Sequence, residues 1–338
     1  MRIRLQDVAE RSGVSASTVS RVMNARPEVN DRTRLHVLRT LAEMGYDPPG
    51  LGPDVAVGLV GLLVPELDNP IFPAFAQAIE ARLASSGYVA VLCCATREAV
   101  HESDYVEMLV NRGVAGIIIV SGMHADTEAD LGLYIDLMAR NVPLVFVNGY
   151  SKDLPAPFVS CDDRHAGALA VRHLAGLGHS RIGFISGSSR YVPVVRKLEG
   201  YHKAVRAHGL VESALVSESI FSVEGGHVAS RGLIAKGATA IVAASDVMAL
   251  GAIRAAHDVD LRVPGDVSVV GFDDTSFMAF TDPPLTTIRQ PVRAMSELAT
   301  QLLLDQIAGA PRENHEYLFR GELVVRGSTA PPSPSPRK

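Results

Sequence analysis

From residue 59 to residue 327 the chain keeps returning to one pattern. A short unbroken apolar run is followed by a longer stretch in which apolar residues recur every three or four positions. "VGLLVPEL", "YVAVLCC", "VAGIIIVSG" and "PLVFVNG" are runs of the first kind; "IFPAFAQAIEARLASSG" and "SDYVEMLVNRG" are stretches of the second. A strand that is apolar on both sides must be covered on both faces, which is the condition of a parallel sheet between helices. The pattern restarts with "PFVSCDD", "AGALAVRHLAGLGH", "RIGFISG" and "RKLEGYHKAVRAHG", then continues through "AIVAASD", "VMALGAIRAAHD" and "VSVVGFDD". Each strand–helix unit takes roughly 25–30 residues, and two such series predict an α/β core of two doubly wound parallel-sheet lobes.

Residues 1–46 have a helical rhythm only. Leu5, Val8 and Ala9 share one face of a helix predicted over 5–12, which Ser12 and Gly13 end. Ser15 can cap a second helix running to about Met23, its hydroxyl accepting the N–H of Ser17 or Thr18. Asn30 or Asp31 opens a third helix to about Met44, with Val37, Leu38 and Leu41 inward. Two short helices joined by a Gly-centred turn, followed by a third, describe a helix-turn-helix module. Val8, Val14, Val19 and Val22 would lock the pair, leaving Ala16, Ser17, Ser20, Arg21 and Asn24 on the outer face. Hydroxyls such as those of Ser15 and Thr18, with helix N-terminal amides, suit phosphate oxygens, and Arg21 has the fork that reads guanine in the major groove. Taken singly, each of these residues is equally well a cap or a solvated side chain; together they point to double-stranded DNA. Thr33, at the start of the third helix, is counted with them as a DNA-binding candidate.

Charge supports that division. The whole chain has a formal net charge of -5, yet residues 1–46 carry eight arginines against five acids. A basic head on an acidic body is the asymmetry expected when one part alone touches phosphate. Residues 47–58, "DPPGLGPDVAVG", hold three prolines and three glycines and read as an interdomain linker. Residues 328–338, "STAPPSPSPRK", read as a disordered tail without a heptad repeat. The three cysteines, Cys93, Cys94 and Cys161, form no C-x-x-C pair, so neither a zinc site nor a disulfide framework is expected. With no apolar segment long enough for a bilayer and no secretory leader in "MRIRLQDVAE", the reading is a cytoplasmic protein.

In doubly wound sheets ligands bind beyond the carboxyl ends of the strands. The residues there are Asn148, Asp162, Ser245, Asp246, Asp273 and Asp274. Such side chains suit a hydroxyl-rich ligand, although Asp or Ser after a strand also caps the following helix, and roughly half are assigned to capping. Catalytic signatures are missing: no G-x-G-x-x-G, phosphate loop, H-E-x-x-H or G-x-S-x-G occurs. No cofactor, metal or catalytic residue is nominated.

With these motifs in place, the chain resembles the LacI/GalR bacterial transcriptional regulators over nearly its whole length. "DVAERSGVSASTVSRVMN" and "MGYDP" resemble that family's DNA-binding head; "VPELDNPIFPAF", "HLAGLGHSRIGFISG", "SDVMALGAIRAA", "LRVPGDVSVVGFDD", "DPPLTTIRQP" and "ELVVRGST" are similar to its core motifs, in order. The resemblance implies a sequence-specific repressor, a homodimer on a pseudo-palindromic operator, with a small sugar effector held between the lobes. By position it implies an effector set of Ile71, Phe72, Asn148, Lys197, Phe221, Ser245, Asp273 and Gln290. Arg196 joins them because the family's effector-gripping arginine falls at Lys197, one place later. The family's hinge helix has no clear counterpart in "PPGLGPDVAV", where Leu51 is the residue available for insertion in the minor groove. "NPIFPAF", "YVEMLVNRGVAGIIIVSGMHADT" and "VPVVRKLEGY" look most like the maltose/α-glucan branch, which implies a malto-oligosaccharide effector. Two rival readings are a soluble sugar-binding receptor and a sugar-modifying enzyme with an accessory helical domain; neither accounts for the basic head, and the second lacks a catalytic constellation.

Overall fold

Why the head forms two helices is visible in its five buried valines. The computed structural model describes residues 5–23, 29, 33, 36–37, 40, 58–95, 100–210 and 215–333. The chain divides into two units, Met1–Gly58 and Leu59–Lys338. In the first, α1 (Leu5–Ser12) and α2 (Ala16–Met23) are joined at Gly13, whose φ of 65° lies in the left-handed region. Val8, Val19, Val22, Val29 and Val37 form the core, with Ala9, Val14 and Met23 against it. Leu5 departs from the expected inner face: it stands at the first helical position, is 42% exposed and lies outside the valine cluster. Thr33, His36, Val37 and Thr40 are helical, and His36 Nε2 hydrogen-bonds the Ser12 carbonyl at 3.0 Å, fixing the third segment against the end of α1. The other residues of the expected third helix, Asn24, and the 47–57 linker with Leu51 lie outside the described residues.

The second unit holds two six-stranded sheets. Its strands are β1 (Gly58–Val64), β2 (Tyr88–Cys94), β3 (Gly116–Val120), β4 (Leu144–Val147), β5 (Phe158–Cys161), β6 (Ile182–Ser186), β7 (Leu215–Glu218), β8 (Ala240–Ala243), β9 (Ser268–Asp273), β10 (Thr286–Arg289), β11 (Glu316–Phe319) and β12 (Glu322–Val324). Its helices are α3 (Ile71–Ser85), α4 (Glu102–Asn111), α5 (Gly132–Ala139), α6 (Asp163–Gly176), α7 (Val192–Ala207), α8 (Val223–Ala235), α9 (Asp246–His257) and α10 (Val292–Ile307). The first sheet runs β11-β5-β4-β3-β1-β2 and the second β12-β10-β9-β8-β6-β7. Strands β3, β4, β5, β8 and β9 are buried throughout, as the unbroken apolar runs require.

Three features differ from the expectation. "PFVSCDD" does not open the second lobe: β5 pairs with β4 and β11 and completes the first sheet. The chain therefore changes sheets after β5, after β10 and between β11 and β12, rather than once. The second sheet is not wholly parallel, since β12 returns antiparallel to β10. Residues 328–330, expected within a disordered tail, are pinned: Ser328 is fully buried, its Oγ donating to Val269 O at 2.6 Å and accepting Thr286 N–H at 2.8 Å. Ala330 N–H reaches Ser268 Oγ at 3.0 Å, and residues 334–338 lie outside the described set.

Glycine sets how closely the helices of the second lobe approach. A Cβ on Gly200 of α7 would run into the Arg164 carbonyl oxygen of α6, and one on Gly167 of α6 into the Lys197 carbonyl oxygen of α7. Gly226 and Gly251 stand in the same reciprocal relation across α8 and α9. By contrast, nothing lies within 4 Å of a Cβ placed on Gly232 of α8. Gly200→Ala is expected to destabilise by about 1–3 kcal/mol through overpacking, and Gly232→Ala to stabilise by about 0.5–1 kcal/mol through helix propensity. Thermal melts of the two variants beside the parent check both signs.

Candidate functional site

In the head, the geometry sorts the polar residues of α2 into internal and external roles. Ser15 Oγ accepts the Thr18 N–H at 3.2 Å and lies 2.8 Å from both the Ser17 and Thr18 hydroxyls. Ser15 and Thr18 are thus engaged in the helix cap, while their remaining hydrogen-bonding capacity points outward with Ser17. Ser17 and Arg21 are exposed, and Ala16, Ser20 and Thr33 are half-buried. Arg21 makes no ion pair among the described residues. One short, rigidly seated helix therefore presents a cation, a hydroxyl row and its N-terminal amides on one side.

In the core, backbone strain clusters where the strands end. Ser121 after β3, Asn148 after β4, and Asp273 and Asp274 at the end of β9 have φ of 50°, 58°, 121° and 56°. Non-glycine residues in this region cost about 1–3 kcal/mol each and persist where the surroundings fix them, commonly at ligand sites. Asn148 is fixed by its own backbone: its N–H donates to Val159 O at 3.0 Å and its carbonyl accepts from His124 Nε2 at 2.8 Å. Asp273 Oδ1 accepts from Gln290 Nε2 at 2.7 Å, which leaves Gln290 Oε1 buried without a partner among the described residues.

Lys197 Nζ lies 2.6 Å from Asp163 Oδ1 and 3.9 Å from the centre of the Phe272 ring, so α6, α7 and β9 meet at one ammonium. Asp163 was not among the expected residues; Asp162, the one nominated, accepts His165 N–H as the α6 cap. The doubled acid after the strand was the available signal, and capping claims only the first of the two. Ser245 likewise caps α9 by accepting Met248 N–H. Asp274 is paired with Arg289 at 2.7 Å and Arg326 at 2.6 Å and serves the framework. Phe221 lies against the backbone of Gly187, where any Cβ would strike the ring. Ile71 is buried in the first lobe's core and Phe72 packs on it. Arg196 forms a bidentate pair with Glu316 of β11, one arm at 3.0 Å, and sits 5.9 Å from the Tyr150 ring.

Burial dominates the titration of these groups. It raises the carboxyls of Asp163, Asp246 and Asp273, with Lys197 opposing it at Asp163 and the neighbouring Asp246 adding to it at Asp273. Asp246 is raised to about 7, although Thr287 Oγ1, Thr275 N–H and Thr275 Oγ1 donate to it. Among the described residues no group of three His, Cys, Asp or Glu could hold a metal ion, and no helix is long and apolar enough to cross a membrane.

Residues 4–49 match the bacterial regulatory proteins of the lacI family, and residues 171–329 match the periplasmic binding protein-like domain. The chain is 53% identical to the HTH-type transcriptional regulator MalR of Streptomyces coelicolor over 98% of its length and 97% of that protein's. It is 52% identical to the HTH-type transcriptional regulator reg1 of Streptomyces lividans, again over 98% of its length and 97% of that protein's. This chain belongs to the LacI family. Its fold agrees with a lac repressor dimer solved on operator with an anti-inducer, at TM-score 0.75, 30% identity, 98% of this chain and 100% of that one. It also agrees with a CelR–cellobiose complex at TM-score 0.71 and 30% identity, covering 97% and 100%. As a LacI-family member the chain is a transcriptional regulator with a DNA-binding head, and the enzyme reading falls away.

The raised carboxyls give this LacI-family core a pH signature. The folded Asp246 pKa of about 7 exceeds the unfolded 3.8, so between these values the unfolded chain ionises first and stability falls as pH rises. His124, lowered by burial to about 4, and His173 and His179, also lowered by burial, work in the opposite sense. The difference between parent and variant isolates the carboxyl. Asp246→Asn should gain on the parent in melting temperature as pH rises from 5 to 8, by calorimetry; a constant difference would mean that Asp246 stays ionised throughout.

Proposed function

We propose that this chain is a cytoplasmic, homodimeric repressor whose hold on a pseudo-palindromic operator is controlled by a small sugar, with a malto-oligosaccharide favoured. In this reading Ser15, Thr18, Ser20 and Thr33 with the α2 N-terminus position the head on phosphates. Arg21, Ala16, Ser17 and Asn24 face base edges. Neutralised phosphates supply most of the affinity, and the few base contacts supply the sequence choice.

For the effector, the observation that carries most weight is the buried, unpartnered Gln290 Oε1 beside Asp273. A buried acceptor left unmade costs about 1–3 kcal/mol, and a ligand hydroxyl donating to it removes that penalty. Asp273 and Asn148 add acceptors of the same kind, Phe221 offers a face for the apolar side of a sugar ring, and Lys197 is a point charge that a hydroxyl oxygen can approach. Arg196 is assigned instead to its pair with Glu316, which uses both arms of its fork. That the CelR relative was solved with cellobiose supports a saccharide as the class. The maltose assignment rests on the branch-like segments "NPIFPAF" and "VPVVRKLEGY".

The test is a mobility-shift assay on DNA upstream of the protein's own gene, with and without maltose and maltotriose. The parent should shift the fragment and release it with sugar, whereas Arg21→Ala should lose preference over unrelated DNA by about 1–3 kcal/mol while keeping sugar binding. A shift insensitive to any malto-oligosaccharide would retain the regulator and remove this effector. For the homodimer, Phe277 and Phe280 on the turn after β9 are 66% and 86% exposed, an arrangement expected of an interaction surface. Phe280→Ser is expected to raise the dimer dissociation constant at least about tenfold, measured by sedimentation.

A further inference from the structure

Segment Gly122–Glu128 belongs to the first lobe, yet its far end is bonded to the second. Arg190, just before α7, donates from Nη2 to Asp126 Oδ2 at 2.7 Å and from Nε to Asp126 Oδ1 at 3.2 Å, and its Nε lies 3.1 Å from Glu128 Oε2. Beside this fork the backbones pair: Thr127 N–H and Thr127 Oγ1 both donate to Arg190 O at 2.9 Å, and Asp126 bridges Tyr191 in antiparallel register. None of these residues lies in the three stretches where the chain passes between sheets.

The near end of the segment is anchored in the first lobe by buried polar groups. Glu102 Oε2 accepts Met123 N–H at 2.9 Å, and the Tyr134 hydroxyl donates to Glu102 Oε1. His124 holds the Asn148 carbonyl, and Ala125 packs against Gly149, where a Cβ would collide with it. A rigid turn thus links the strained Asn148 to an ion pair on the opposite lobe.

We propose that Gly122–Glu128 is a strap that fastens the two lobes together through Arg190 and holds them in the arrangement seen here whether or not the space between the lobes is filled. An isolated exposed ion pair contributes little, because water screens it and two side chains must be ordered. This one differs in three respects: Asp126 is engaged by a two-armed guanidinium fork, its side chain is only 12% exposed, and backbone hydrogen bonds form only when the same two segments meet. Closing the strap adds the Arg190 contacts to a turn that His124 already ties to Asn148. Opening must break the fork, the Thr127 bonds and the Asp126 bridge together, so the strap behaves as a two-position element.

Thr127 supplies the readout, because its amide is protected only while the strap is fastened. Hydrogen exchange is followed by NMR on the full chain without added sugar, with the amide of Phe146 in β4 as an internal reference. Arg190→Ala should speed Thr127 exchange about tenfold or more while leaving Phe146 unchanged. Arg190→Lys, which retains the charge without the fork, should fall between. The exchanged pair Asp126→Arg with Arg190→Asp should restore part of the protection. On the unsubstituted chain, raising sodium chloride from 0.05 to 0.5 M should speed Thr127 exchange and leave Phe146 unmoved. Thr127 exchange indifferent to both Arg190→Ala and salt would overturn the proposal, as would equal acceleration of Phe146, which would report loss of the lobe instead of release of the strap.

Discussion

Both sheets of the core are covered on both faces, and this constraint decides where polar chemistry can stand. Strands β3, β4, β5, β8 and β9 have every residue buried. A polar group inside such a strand would need a partner that neighbouring aliphatic side chains cannot supply. Ser160 inside β5 and Ser268 at the start of β9 apart, the polar residues stand where these strands end, and since the strands are parallel those ends share one edge of each sheet. Ser121, Asn148, Asp162, Asp163, Ser245, Asp246, Asp273 and Asp274 all fall there. The three passages of the chain leave from the ends of β5, β10 and β11, and at the last of them Gly321 lies against Ile288 and Arg289 of β10 and near Cys161 of β5.

The edge residues then divide by what is already satisfied. Asp162 and Ser245 serve helix N-termini, and Asp274 neutralises two arginines. Asn148, Asp273 and Gln290 are fixed in place and retain hydrogen-bonding capacity, with Gln290 Oε1 unpartnered among the described residues. Asp163 and Lys197 neutralise one another beneath them. Under the proposed function, this fixed geometry with spare acceptors receives a small polar molecule whose binding shifts the chain between lobe arrangements. Arg196 and Arg190, both on or beside α7, reach across from the second lobe to acids of the first.

The helix packing of the second lobe has a different cause. Gly167 with Gly200, and Gly226 with Gly251, allow backbones to approach to a distance that any side chain would prevent. This brings α7 close enough to α6 for Lys197 to meet Asp163. Glycines that lower helix propensity are therefore part of how the ammonium is placed, which explains their presence within regular helices.

Periodicity and turn chemistry, which are local, made most elements readable along the chain. The Ser15 cap, the Gly13 turn, the valine lock of the head and the alternation of buried strands with helices all follow from neighbours within a few positions. What was misread or left unread has no clean local pattern or depends on partners distant in sequence. Helix α5 is apolar nearly all round and α8 holds three glycines, so neither shows a clean period, and four-residue β7 is recognisable only beside β6. The assignment of β5 to the first sheet is a pairing with β4 and β11 that no local pattern encodes. The strand pattern placed Asn148 and Asp273 at strand ends and resemblance added Gln290, but only the folded chain shows that Arg196 is held by Glu316 and that Asp163 pairs with Lys197. Local pattern was enough for most of the elements and for the kinds of side chain at their ends, because those depend on backbone conformation and on burial. Tertiary structure decided which of those side chains are already bonded, because a hydrogen-bond partner more than a hundred residues away has no trace in local pattern.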